Sequence, residues 1–224
     1  MLVPIDPFTV LLALVPLIGY LGIFSVIRLS RRALVTTGGR DIAALAIAIS
    51  GMLAVGPAEL FFPSSAATLF GPLVWLALAA FYALSVLLIA LSSPPKLVIY
   101  GRTPEEVFEP LVRAARGIDA DVVADSQLLQ VHLPNFGVRL RIDGQRGLDH
   151  ATVVPFEPAH SLKFWNALLG NLRTEVRRES ATDPVPRRGF GMLIVTILLI
   201  GLLIGQGFSN RGLLVEGFRD WLWR

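Results

Sequence analysis

Apolar residues fall in four long runs, about 8–27, 42–62, 72–91 and 190–208, and Glu59 is the only charged side chain in any of them. Each run is about twenty residues long, which is what a hydrocarbon core of about 30 Å requires of a spanning helix. The pattern therefore predicts an α-helical membrane protein with four transmembrane helices. Pro16, in the middle of the first run, predicts a kink, and Gly19 and Gly22 follow on adjacent turns. Gly56-Pro57 is expected to bend or end the outer turn of the second.

Between the third and fourth runs the pattern changes. Ser92-Ser93-Pro94-Pro95 breaks the third helix, and 96–188 reads as one small α+β domain. Leu97 to Tyr100 is a short strand. Thr103-Pro104-Glu105-Glu106 has the N-cap, the proline and the glutamate of a capping box, and Val107, Phe108, Leu111, Val112 and Ala115 share the face of the helix that follows. Pro110 either kinks that helix or separates its first turn from the rest. Residues 121–124 are a weak strand. Leu129, Val131 and Leu133 alternate with polar residues, as do Val138, Leu140 and Ile142, and Pro134-Asn135-Phe136-Gly137 between them is a turn, giving a hairpin. A further strand at 151–156 leads to a helix at 158–179, with Leu162, Trp165, Leu168, Leu169, Leu172 and Val176 on one face. The simplest packing is one antiparallel sheet with two helices on one face, an order of elements like a ferredoxin-like plan lacking its last strand.

The expected organisation is thus three transmembrane helices in 1–95, the α+β domain in 96–188, and the fourth span with an amphipathic interfacial tail in 189–224. Leu213, Leu214, Phe218, Trp221 and Leu222 make one face of that tail.

Composition agrees with this division. The 224 residues are 54% hydrophobic and only 17% charged, against about 25% charged in an ordinary soluble domain. The net charge of +3 reads as topology rather than as a nucleic-acid surface, because no basic stripe interleaved with aromatics is present. Arg28, Arg31, Arg32 and Arg40 crowd the loop 28–41, Lys96 follows the third run, and Arg187-Arg188 precede the fourth. By the positive-inside rule these lie in the cytoplasm, with both termini opposite, in a plasma membrane or bacterial inner membrane. Arg211, Arg219 and Arg224 in the tail dissent, offset in part by Glu216 and Asp220. Met1 to Thr9 carries no cation ahead of the first apolar run, so a cleaved leader is not expected. With no cysteine, disulfides, thiolate metal sites and cysteine nucleophiles are excluded.

Candidate chemistry is sparse. Glu59 is the one candidate functional carboxylate, since an acid inside a span is a functional hypothesis by default. Its depth argues otherwise: it lies about 26 Å along the helix from Ile42, close to the outer surface. His132, His150 and His160 have no metal-site spacing. Glu105, Glu106 and Glu109 suit a helix start, and Asp119, Asp121 and Asp125 lack the glycine and the terminal glutamate of a calcium loop. No P-loop, G-x-S-x-G or H-E-x-x-H occurs, no cofactor is implied, and no segment carries a family motif.

The remaining signals concern association. Ala44, Ala48 and Gly51, Ala79 and Ala83, and the G-x-x-x-G pair Gly201 and Gly205 are small residues at helix-packing spacing. Arg28, Arg31, Arg32, Arg187 and Arg188 are placed to contact anionic lipid headgroups. The sequence therefore points to a non-catalytic accessory or scaffold subunit of a membrane complex, or to a homo-oligomer. A membrane-tethered sensor or adaptor whose soluble domain binds a protein or small ligand is the second reading, and a transporter or membrane enzyme with a site near Glu59 the third.

Overall fold

The computed structural model describes residues 7–30, 32–56, 71, 73–145, 148–157, 161–182 and 190–223. In chain order the elements are α1 (Pro7–Leu29), β1 (Leu34–Thr37), α2 (Gly38–Val55), α3 (Leu73–Ser92), β2 (Leu97–Tyr100), α4 (Pro104–Arg116), β3 (Val123–Asp125), β4 (Gln130–Leu133), β5 (Val138–Asp143), β6 (His150–Pro155), α5 (Leu162–Thr182), α6 (Phe190–Ser209) and α7 (Arg211–Trp223). They form two compact units. One is Met1–Ser25, Ile42–Ile89 and Phe190–Arg224, the other Val26–Asp41 and Ala90–Gly189.

The first unit holds the four helices that are long and apolar enough to cross a membrane, α1, α2, α3 and α6. Their side chains are largely exposed, and α3 has no buried residue. The closest contact is made by Gly51. A Cβ there would overlap the carbonyl oxygens of Leu12 and Ala13 on α1, so only glycine allows this approach. One turn earlier Ala48 is fully buried. Tyr82 Oη on α3 donates to the Ala46 carbonyl at 2.7 Å, which satisfies a phenol on an otherwise apolar helix. Gly22 on α1 faces Thr196 on α6, whose hydroxyl bonds its own Met192 carbonyl at 2.8 Å. Pro16 lies within α1, which is continuous through it.

The second unit is built on a six-stranded antiparallel sheet of order β1-β2-β6-β5-β4-β3. The registers Val131↔Leu140, Ile142↔Val153 and Ala151↔Ile99 place the apolar members of each strand on one face. That face is covered by α4 and α5, which also pack on each other. Leu97, Ile99, Leu111, Leu133, Leu140, Leu168 and Leu172 are its fully buried large side chains. Burying each is worth about 1.5–3 kcal/mol relative to exposure. Arg113 on α4 clamps the two helices, with Nε 2.8 Å from Glu175 and a terminal nitrogen 2.8 Å from Glu179 on α5. The clamp is partly exposed, so it orients the helices more than it stabilises them.

The capping box forms as the sequence predicts. Glu106 N–H donates to Thr103 Oγ1 at 3.4 Å, and Thr103 N–H donates to the Glu106 carboxylate at 2.9 Å. Pro110 resolves to one helix, α4 running unbroken from Pro104 to Arg116. The 134–137 turn is a short 3-10 turn closed by Gly137 at φ +62°, a left-handed value that favours glycine. The weak strand expected at 121–124 is β3, shifted to Val123–Asp125.

The main departure from expectation is in the loop 28–41. It contains β1, which pairs with β2 in the register Val35↔Ile99. Val35 is buried in the sheet core against residues of the 96–188 segment. β1 sits beside β2 at the sheet edge, so one edge strand of this unit comes from chain that precedes α2. The chain then enters α2 at Gly38, four residues ahead of the expected start. Thr37 Oγ1 accepts the Arg40 N–H at 3.4 Å, and Gly38 N–H donates to the Lys96 carbonyl at 2.9 Å. A Cβ at Gly38 would meet the Lys96 stem at 2.5 Å, so this junction also requires glycine.

Candidate functional site

In the sheet unit, a cavity of about 1080 Å³ lies where the end of α1 and β1 meet the C-terminal half of α5. Three arginines line it: Arg32, two residues before β1, and Arg173 and Arg177, one turn apart on α5. Ser30, Thr174 and Ser180 contribute hydroxyls, and Ile27, Leu34 and Val35 an apolar wall. The lining among the described residues contains no acid.

The local sequence explains the arrangement. Leu168, Leu172 and Val176 bury one stripe of α5. Arg173 and Arg177 follow on an exposed flank at helical spacing, and Ser180 returns to the buried side. Arg173 Nε donates to the Val35 carbonyl at 3.1 Å, which ties α5 to β1 and holds the guanidinium at the cavity. Ser180 is 8% exposed, and its Oγ is buried with no hydrogen-bond partner among the described residues. A buried hydroxyl left unpaired costs about 1–3 kcal/mol. The Thr174 hydroxyl is committed to the Gly170 carbonyl at 3.0 Å.

The residues singled out in the sequence are distributed as follows. Ala48 and Gly51 are buried on α2, Gly51 against α1, and Ala44 is half-buried on the same helix. Ala79 and Ala83 are exposed on α3. Gly201 and Gly205 are exposed on α6, and a Cβ at either would meet nothing within 4 Å. Arg28 is in the last turn of α1, and Arg32 lines the cavity. Glu59, Arg31, Arg187, Arg188 and His160 lie outside the described residues. His132 and His150 stand on β4 and β6, separated by β5. Among the described residues no three His, Asp or Glu side chains converge as a metal would require.

Two acidic residues of the sheet unit, Asp119 and Asp125, are engaged in its turns. Asp119 is buried and accepts from the Asp121 N–H at 3.0 Å and from the Asn135 N–H and Nδ2 at 2.9 and 2.7 Å. Burial works to raise its carboxyl. Those donors, with His132 nearby, outweigh burial and hold it below the usual carboxylate range. Asp125 accepts from the Gln127 and Leu128 N–H groups at 2.9 and 3.1 Å. On the sheet face away from the helices, Arg139 pairs with Glu157 at 3.1 Å and Arg141 with Asp143 at 2.5 Å, both guanidiniums 5.5 Å from the Phe156 ring. Glu157 is lowered, first by the Arg139 N–H and then by its guanidinium, against the opposing effect of burial.

No family model, no curated protein and no solved structure matches this chain.

The sequence pattern groups Arg32 with Arg28, Arg31, Arg187 and Arg188 and does not join it to Arg173 and Arg177 as the lining of one cavity. The pairing depends on β1, and no periodicity in a four-residue strand reveals it. A signal was present in Leu34-Val35-Thr36-Thr37, a run rich in β-branched residues.

Proposed function

We propose that this chain is a non-catalytic multi-pass membrane protein that works by association. Its four apolar helices cross a bilayer, its sheet unit stands on the cytoplasmic side with both termini opposite, and its helices bind a second copy or other membrane subunits. One contrast carries the reading. Gly51 serves a close helix contact against Leu12 and Ala13, whereas a Cβ at Gly201 or Gly205, at the spacing that brings helices together, would meet no other element within 4 Å among the described residues. The exposed Ala79 and Ala83 on α3 offer a second small-residue face. Purification in mild detergent followed by native mass measurement tests the proposal. The expected result is a mass above one chain or a stoichiometric partner, reduced by Gly201→Leu with the helical circular dichroism unchanged. A monomer without companions would sink it.

The basic cavity favours a second reading, in which the sheet unit is a membrane-tethered ligand-binding domain. The two readings are compatible, because a ligand at the cavity would bridge α1, β1 and α5 and so favour one arrangement of the domain. A transporter or enzyme site near Glu59 gains no support, since the residue lies outside the described structure.

A further inference from the structure

We infer that the cavity between the end of α1, β1 and α5 binds the phosphate headgroup of an anionic phospholipid. The inference rests on the membrane reading above. Four observations converge on it.

The charge is one-sided. Arg32, Arg173 and Arg177 bring three guanidiniums to the lining, and no carboxylate opposes them there. The nearby acids on α5, Glu175 and Glu179, are occupied by Arg113. The negative end of the α5 dipole, worth about half a charge, is outweighed by three full cations. The donor type is matched to phosphate. Planar guanidiniums offer paired N–H groups to two oxygens at once, and the Arg173 bond to Val35 uses only Nε, leaving its terminal nitrogens for a ligand.

The unsatisfied hydroxyl is the second pointer. Ser180 Oγ is buried in this lining without a partner among the described residues, and a phosphate oxygen would accept from it. Third, the volume of about 1080 Å³ stands at the top of the ~300–1,000 Å³ range of small-molecule sites. A bare phosphate would leave most of it empty. Fourth, Ile27 and Leu34 make one wall apolar. Ile27 is in the last turn of α1, so a ligand touching it lies where a spanning α1 leaves the hydrocarbon. A phosphate carrying a glycerol and the first methylenes of acyl chains suits both the polar and the apolar wall.

The test uses the full chain in mild detergent, titrated with phosphatidylglycerol, phosphatidylcholine or inorganic phosphate, and read by native mass spectrometry and thermal unfolding. Arg173 is left intact because it holds β1. Arg32→Gln with Arg177→Gln removes two cations at exposed positions, and Ser180→Leu fills the cavity. Wild type is expected to retain one phosphatidylglycerol in preference to phosphatidylcholine and to melt at a higher temperature with it. The double variant should lose at least tenfold in occupancy, and Ser180→Leu should lose the thermal shift, with the lipid-free melting of the double variant unchanged. Equal retention of the two lipids, or a double variant that binds phosphatidylglycerol like wild type, overturns the inference. Equal protection by inorganic phosphate alone also overturns it, by assigning the site to a soluble phosphate. The membrane reading is tested separately by alkaline extraction of the membrane fraction. Release of the protein there sinks that reading, whatever lipid the purified chain retains.

Discussion

At the scale of single residues, Asp119 is a buried polar group of the sheet unit committed to its turns. Asp119 joins the turn after α4 to the turn after β4 through three donors. Its folded-state carboxyl is held below its unfolded value, so its ionised form stabilises the fold above roughly pH 4, the unfolded carboxylate range. That contribution is lost as pH falls through the lowered folded value. Asp119→Asn cannot titrate. It is expected to melt below wild type at pH 7, with the difference narrowing as the pH is taken toward 3. A gap that stays constant across that range would show that the carboxylate charge is not what the turn uses. Glu157 is lowered in the same direction, so the Asp119→Asn variant retains some acid sensitivity.

At the scale of elements, two short-range contacts decide how helices and strands meet. Gly51 brings α2 within backbone contact of α1. Gly51→Leu places a side chain on the Leu12 and Ala13 carbonyls, and the helices must separate by ångströms. The expected effect is a fall in melting temperature in detergent that Gly56→Leu does not reproduce, since a Cβ at Gly56 meets only the Met52 carbonyl of its own helix, at 3.3 Å. β1 is the corresponding element in the sheet unit. Val35 is 4% exposed and is the side chain through which β1 enters the core. Val35→Ala removes two buried methyl groups and should cost about 2 kcal/mol in chemical denaturation of the sheet unit. A cost near zero would mean that β1 is held by its ladder and by Arg173 alone.

At the scale of the whole molecule, the sheet unit is discontinuous in sequence, because β1 precedes α2 and α3 while the other five strands follow them. A fragment of 96–188 therefore leaves β2 as a bare edge, with an unpaired row of backbone groups and an uncovered patch at Ile99. It is expected to self-associate or to unfold at lower denaturant than a version carrying residues 32–38 joined at its end by a flexible linker. Identical monomeric behaviour of the two would show that β1 is dispensable. The same discontinuity gives the cavity its character. One wall comes from chain that has just left α1 and the other from α5, so a ligand there would link two distant parts of the chain.

The sequence by itself determined the four apolar helices, because their composition is uniform over about twenty residues and needs no partner to be read. It also determined the capping box at Thr103 and Glu106, the hairpin of β4 and β5, and the apolar stripe of α5, which are local in chain and periodic. Tertiary structure decided the rest. A four-residue strand carries too little periodicity to distinguish it from a loop, so β1 is specified only by the edge of β2 and the buried place for Val35. Arg32 is separated from Arg173 and Arg177 by more than a hundred residues of chain, and only that pairing joins them at one cavity. Which glycines meet another helix was likewise open: Gly51, Gly201 and Gly205 read alike in the sequence. Only the packed chain separates the one that touches α1 from the two that face no neighbour among the described residues.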